Sequence, residues 1–355
     1  MKLAILSTYP PRKCGIGLYT RNLVDSLRRK NHDVRVLSFK GYDYEDKGVV
    51  PILRNRSLFS YIRAANYLRD NGFRRLLVEY EYVFYNPILF PLLLFILRIY
   101  GISVTLEFHT IVPYEDQLKK TIFTLYHSII LLFTDNVIVH TKNAELKLIS
   151  KTLVRRPVRI IPIPIPRRKF VPRIVKSGKP LLLSFGFISY DKGIDILIKA
   201  LGGIKGVNIL IHGSVSPAAM GKQHDYYRKI KKMAAAFSNI RVIDKFISEE
   251  EKEKLLSRAD LIVLPYRFIE QSAILTEVWA HGKIPVCSDV KAFREELEGN
   301  KYGVLFKANE PEDLREKVLE LIKNKPKQAA ILKSIKTLVR KRGFEALAEK
   351  YLIGI

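Results

Sequence analysis

The chain has 355 residues, 48% of them hydrophobic, with a formal net charge of +26 and a pI near 9.9. That length suits two α/β domains rather than one core, and two cysteines, Cys14 and Cys287, are too few for a disulfide framework or a cysteine metal cluster. The charge calls for an anionic partner, whether nucleic acid, acidic lipid or a phosphorylated substrate. Residues 1–172 hold 28 Lys and Arg against 13 Asp and Glu. The apolar start MKLAIL is too short for a secretory signal, so the chain is expected to stay in the cytoplasm. No segment has the roughly 18 apolar residues of a membrane span; Ile88 to Leu97, broken by Pro91, reads as a buried helix. Little Gln and Cys beside much Lys, Arg and Ile resembles a thermophile's composition.

Leu3 to Leu6 is a buried strand, followed by a loop with two prolines and two glycines and a helix over Tyr19 to Lys30. Gly15 and Gly17 let backbone approach a ligand at that helix start, although a plain tight turn asks for the same residues. Val34 to Phe39 is the second strand. Leu58 to Asp70 is an amphipathic helix with Arg63 and Arg69 on its polar side, ended by Asn71-Gly72; it packs on a core or lies on anionic lipid. Leu76 to Glu81 is a third strand ending in the cluster Glu79, Tyr80, Glu81, Tyr82. Asn86-Pro87 opens a helix, and the strand Ile102 to Phe108 delivers His109 to the same sheet edge. A helix from Gln117 to Phe133, a strand Asn136 to His140 and the extended run RIIPIPI, 159–165, complete the first half. That run, with Arg167, Arg168 and Lys169 after it, reads as a linker.

The pattern then restarts. Leu181 to Phe185 is a strand, Gly186 to Asp191 a loop, and Lys192-Gly193 opens a helix; Val207 to His212 is another strand. Ser248 and Glu251 form a capping box. Asp260 to Pro265 is a buried parallel strand leading through a polar loop to Ser272, which caps a short helix. The first amides of that helix, Ala273 and Ile274, lack intrahelical partners and suit a phosphate oxygen. Gly282 ends the helix and Ile284 to Cys287 is the next strand. A strand at Gly303 to Phe306, a helix from Glu310-Pro311 to Asn324 and a basic helical tail, Lys327 to Leu352, follow.

Two Rossmann-like halves with glycines and cations beyond their strand ends resemble a GT-B glycosyltransferase of the retaining family-four kind, over nearly the whole chain. TYPPRKCGIGLYT, then Glu79 to Tyr85, then His109-Thr110 resemble the motifs of one branch of that family. The resemblance implies two α/β domains, each Rossmann-like, facing each other across a cleft. Residues 1–165 would be the acceptor side and 166–335 the nucleotide-sugar side, with 336–355 a helix packing back on the first. It also implies donor contacts at Gly15, Gly17, Lys192, Arg267, Ser272, Ala273 and Ile274, and Glu277 on the nucleotide ribose. His109, Glu81, Lys192 and Glu270 would be the catalytic set. Two departures stand out: Phe187 occupies the place of a usual arginine, and Glu270 lies one residue after the place of the first glutamate of a pair, which here is Ile269.

The chemistry implied is transfer of a hexose from a nucleotide-diphosphate sugar to a sugar or lipid-linked acceptor, with retention. Lys192 and the helix amides would stabilise the leaving diphosphate. No Asp-x-Asp or histidine cluster stands out in the sequence, so neither metal nor cofactor is expected. The partners expected are the donor, the acceptor and an anionic membrane surface on its inner face. Nucleic acid is not expected, for no binding motif or basic-aromatic platform is present. A catalytically silent scaffold or nucleotide-sugar-binding module is the rival reading, motivated by Phe187 and the displaced Glu270.

Overall fold

The structure is a computed structural model that describes all residues except 112–115, 176–177, 216–221, 246 and 354–355, and the side chains of residues 222 and 223. The chain forms two compact units, Met1–Pro164 with Phe344–Ile355, and Ile165–Gly343.

In the first unit the elements are β1 (Lys2–Leu6), α1 (Gly15–Arg29), β2 (Asp33–Phe39), β3 (Val49–Leu53), α2 (Leu58–Asp70), β4 (Arg75–Tyr80), α3 (Leu89–Ile99), β5 (Ser103–Phe108), α4 (Gln117–Leu132), β6 (Asn136–Val139), α5 (Lys142–Ile149) and β7 (Val158–Ile160). The strands make one parallel sheet in the order β3-β2-β1-β4-β5-β6-β7. β1 and β4 are buried over almost their whole length because helices cover both faces, which is why they read as continuous apolar runs. Side chains alternate between the faces. Ala4, Leu6, Leu76, Val78 and Leu106 meet α2, α3 and α4; Leu3, Ile5, Leu77 and Ile138 meet α1 and the chain's final residues.

Several sequence expectations shift here. α1 begins at Gly15, so both glycines sit in its first turn rather than in the loop. The supposed linker starts as an edge strand, β7, paired with β6. β3 carries Pro51, which an edge strand tolerates because one side of it needs no ladder donor.

The second unit contains β8 (Leu181–Phe185), α6 (Ile194–Leu201), β9 (Asn208–His212), α7 (Lys222–Ala235), β10 (Ile240–Ile243), α8 (Glu249–Arg258), β11 (Leu261–Leu264), α9 (Ala273–Ala280), β12 (Ile284–Ser288), α10 (Lys291–Leu297), β13 (Val304–Phe306), α11 (Pro311–Lys323) and α12 (Lys325–Arg342). Its six strands are parallel in the order β10-β9-β8-β11-β12-β13. One core runs through the unit, with Trp279 fully buried and its indole N–H donating to the Tyr302 carbonyl at 2.8 Å. The expected break after residue 335 falls inside α12. That helix is one piece from its Asn324 cap to Gly343, and only α13 (Phe344–Leu347) and the turn Ala348–Tyr351 belong to the first unit.

Candidate functional site

Both sheets are doubly wound, and the strand order reverses between β1 and β4 and between β8 and β11. Loops leaving the carboxyl ends at such a reversal are where an open α/β sheet binds ligands. In the second unit these are the loops after β8 and β11. They touch through backbone: a Cβ on Gly193, which has φ +61, would lie 1.9 Å from the Pro265 carbonyl oxygen. The loop after β9 is equally close, since a Cβ on Gly213 would lie 1.8 Å from the Gly186 carbonyl oxygen. Three loops thus converge on one point.

Beside it lies a cavity of 250 Å³ lined by Lys192, Lys245 and Lys252, with Phe187, Ile247 and Ile274. Lys192 ends a single 3-10 turn, Tyr190–Lys192, and its ammonium stands 3.8 Å from the centre of the buried Tyr266 ring. Burial pushes this ammonium down to about 8, with Asp191 opposing the shift. It forms no ion pair or hydrogen bond among the described residues, Asp191 acting on it only through the field. α9 points its start at the same place. Ser272 Oγ accepts from the Leu275 amide at 3.1 Å, while the Ala273 and Ile274 amides have no partner among the described residues. Gly282 closes that helix: its amide donates to Trp279 and the next, Lys283, to Val278, the paired bonds of a glycine-terminated helix end.

Glu277, one turn into α9, is bracketed by cations. Arg168 reaches its two oxygens at 2.9 and 3.2 Å, and Lys252 Nζ lies at 3.0 Å. Burial alone would raise this carboxyl, but Lys252 and Arg168 outweigh it and hold it below the ordinary range. Neither cation stood out in the sequence. Arg168 lies 109 positions from Glu277 in a segment that reads as a linker. Lys252 does lie at i, i+3 from Glu249 on a capped helix, which is a signal of surface pairing rather than of a site.

Arg267 is placed differently from the sequence expectation. Its guanidinium grips Asp195 with two bonds of 2.9 and 2.8 Å, donates to the Tyr190 carbonyl and lies over the Tyr190 ring. The pair ties the loop after β11 to the first turn of α6, so this cation braces the loops. Glu270 is half-buried in the loop ahead of Ser272. A larger cavity, 410 Å³, lies against α8 and the β9–β10 edge, lined by Leu210, His212 and Arg241; it is away from the strand-order reversal.

In the first unit the sheet edge holds a closed network. Glu79 and Glu107 are register partners on β4 and β5, both fully buried and interacting with each other. Burial raises both carboxyls, Glu79 to about 8 and Glu107 well above its usual range. His109 Nε2 lies 2.5 Å from Glu79 Oε2; burial pushes the imidazole's pKa down. Tyr19 from α1 donates to Glu107 at 2.5 Å and meets the Tyr351 hydroxyl at 2.5 Å. His109 therefore pairs with Glu79, not with Glu81. Glu81 instead accepts from Thr110 Oγ1 at 2.8 Å and from the Tyr82 amide at 3.1 Å. Gly15 and Gly17 sit at the start of α1, where a Cβ on Gly17 would meet the Tyr9 backbone at 3.4 Å.

The expectation that no histidine cluster exists needs correcting in geometry. Glu107, His109 and His140 bring ligand-type atoms within 4.8 Å of one another. The strand ends β5 and β6 do this, and sequence spacing could not show it. Two of its members meet directly, His140 Nε2 at 3.3 Å from Glu107 Oε1, while other bonds run outward: His109 to Glu79, Glu107 to Tyr19, and the His140 Nδ1–H to the Ile161 carbonyl at 2.8 Å.

Comparison with known proteins agrees with this architecture. Residues 167–337 match the model of glycosyl transferases group 1 and residues 14–168 that of glycosyltransferase family 4. The chain belongs to the GT-B glycosyltransferases of group 1. No curated protein matches it by sequence. Among solved structures it is similar to a sucrose-phosphate synthase from Thermosynechococcus elongatus, at 16% identity over 99% of this chain and 97% of that one, with a TM-score of 0.75. It is also similar to Anabaena HepE in complex with UDP-glucose, at 16% identity over all of both chains and a TM-score of 0.75. A glycosyltransferase from Rickettsia africae matches at 15% identity over 99% and 96%, with a TM-score of 0.76. At such identities the likeness is one of fold.

Proposed function

We propose that this protein transfers a hexose from a nucleotide-diphosphate sugar to an acceptor, with retention of anomeric configuration and without a divalent metal, at the inner face of a membrane. One observation carries the reading: Lys192, Lys245, Lys252 and the unpartnered amides of α9 surround a single cavity at the point where three loops converge. The diphosphate gains negative charge as the glycosidic bond breaks, so cations and dipoles already in place lower the barrier rather than merely tightening binding. Lys245 and Lys252 line the same cavity but are paired with Glu251 and Glu277, so among the described residues Lys192 is the cavity's lysine without an ion pair. Glu277, kept ionised by Arg168 and Lys252, is the group for the ribose hydroxyls. Glu270 is the candidate on the sugar. For the first unit we assign the acceptor side, with His109 and Glu81 as the groups to vary. HepE's complex with UDP-glucose makes a uridine donor the first to try.

The test is turnover. Sugar nucleotides are incubated with and without EDTA, donor hydrolysis and product formation are followed, and the anomeric configuration of the product is read by NMR. Inverted product, or activity lost to EDTA and restored by Mg²⁺, overturns the corresponding part. A silent binding module is the second reading, favoured by Phe187, 44% exposed where the family resemblance implies an arginine. Thermal stabilisation by a sugar nucleotide of about 2.7 kcal/mol at a hundred times its Kd, with no turnover, selects it.

A further inference from the structure

The helices on one face of the first sheet do not share one surface chemistry. α2 is mainly a covering helix: Tyr61, Ala64, Ala65 and Leu68 face the core, Arg63, Arg69 and Asp70 face out, and Leu58 and Phe59 are exposed only at its start. α3 is apolar all round, LFPLLLFILRI, with Arg98 its one charge. Phe90, Leu93, Leu94 and Leu97 are buried, yet Leu92, Phe95 and Ile99 face solvent, and Ile88 just before them is 79% exposed. α4 goes further. Its outward positions Leu118, Ile122, Leu125, Ile129 and Leu132 repeat at alternating steps of four and three, while its inward side includes His127 and Ser128. This reverses the usual arrangement of a surface helix. The Phe95 and Phe133 rings, 5.5 Å apart, join the two stripes into one patch.

We infer that the outer face of α3 and α4 is the surface on which the protein lies against an anionic lipid bilayer. The charges choose the occupant. α3 and α4 carry Arg98, Lys119 and Lys120 and no acid. Of the described acids flanking these helices, Asp116 caps α4 and Asp135 pairs with Arg98 at 2.8 Å. A second copy of a chain with net charge +26 would be repelled by the same field that draws the patch to anionic headgroups. Among the described residues no helix is long and apolar enough to cross a membrane, so the contact is interfacial, with the stripes at the boundary of headgroups and acyl chains. The inference rests on the proposed membrane site of action and moves its anchor from α2, where the sequence placed it, to α3 and α4.

The experiment is flotation of the full chain with phosphatidylcholine vesicles, with and without 30% phosphatidylglycerol. The expected result is binding to the anionic vesicles that weakens with salt, a tenfold or larger loss of bound fraction in Ile122→Glu/Leu125→Glu, and little change in Arg63→Glu on α2. The substituted side chains are exposed, so the melting temperature and donor hydrolysis of the double variant should match the parent. If the parent floats and the double variant floats equally, this face is wrong and the membrane reading stands. If the parent binds no vesicle, both fall. A parent that sediments as a dimer, with a monomeric double variant, assigns the face to self-association instead and overturns the proposal.

Discussion

At the end of the first sheet, Glu79, Glu107 and Tyr19 turn their polar atoms toward one another and are shut from water. At the end of the second, Lys192 stands half-buried beside a cavity with no ion pair among the described residues. The two sheets share one winding order, so topology does not account for the difference. A closed network of acids holds its own protons and fixes the positions of its members. An unbalanced cation leaves a field for an anionic ligand to complete. Each carries a strongly shifted pKa, and only the second has an obvious use for it.

The sharpest challenge to this contrast is a closed pair inside the open unit. Arg267→Ala leaves Asp195 buried with its tyrosine partner alone and should cost about 3 kcal/mol of stability, read as a lowered denaturant midpoint. An Arg267→Ala enzyme that melts normally but binds donor poorly would return Arg267 to the binding set. Lys192→Ala should behave the opposite way. Its fold stays intact while kcat/KM falls on the order of a hundredfold, more through kcat than through the donor KM. Near-parental turnover in a folded variant removes Lys192 from the reaction. The same lysine sets a pH limit: with its folded pKa near 8, donor binding needs the protonated form, so kcat/KM should decline as pH rises through about 8. Lys192→Arg should push that decline upward.

A smaller effect tests the closed side. Glu79 is raised from about 4.5 to about 8, so the folded chain holds a proton that the unfolded chain releases between those values. Its contribution is fully present below about 4.5 and disappears as pH rises through about 8, a slope near 1.4 kcal/mol per pH unit in that window. Melting of Glu79→Gln followed across pH 4 to 9 should show a flatter profile than the parent; an unchanged slope means the proton is held elsewhere. The mildest change expected is in Arg168→Ala. Lys252 still holds Glu277 ionised, so the donor KM should rise about tenfold with little effect on kcat.

How much of this the sequence disclosed varies with range. Local features were legible: the Ser248–Glu251 box, the Ser272 cap and the Gly282 stop all involve atoms within a few residues, and each forms as read. The central strands declared themselves because burial on both faces leaves a continuous apolar run. Edge strands were less legible: β3 with Pro51, β7 and β10 carry mixed side chains, whereas the edge strand β13 was legible at Gly303 to Phe306. The Glu79–Glu107 pair needed the knowledge that β4 and β5 are adjacent and in that register. An acid in the same penultimate position of RLLVEY and SVTLEF was the available clue. Hydrophobicity also misled at Ile88 to Leu97, which read as buried although half of its face is open.

Residues from Phe344 onward belong to the first unit. Phe344, Leu347, Ala348 and Tyr351 fill the core behind β1, and the Tyr351 hydroxyl meets Tyr19 inside the acid network. On a ribosome, domains usually fold in order of emergence. Here α1 covers that side of the sheet early, but Phe344, Leu347, Ala348 and Tyr351 join it only after some 180 further residues, those of the whole second unit, Ile165–Gly343, have been made. A nascent chain stalled within the second unit would therefore display Tyr19 and part of the β1 face to any chaperone or protease nearby.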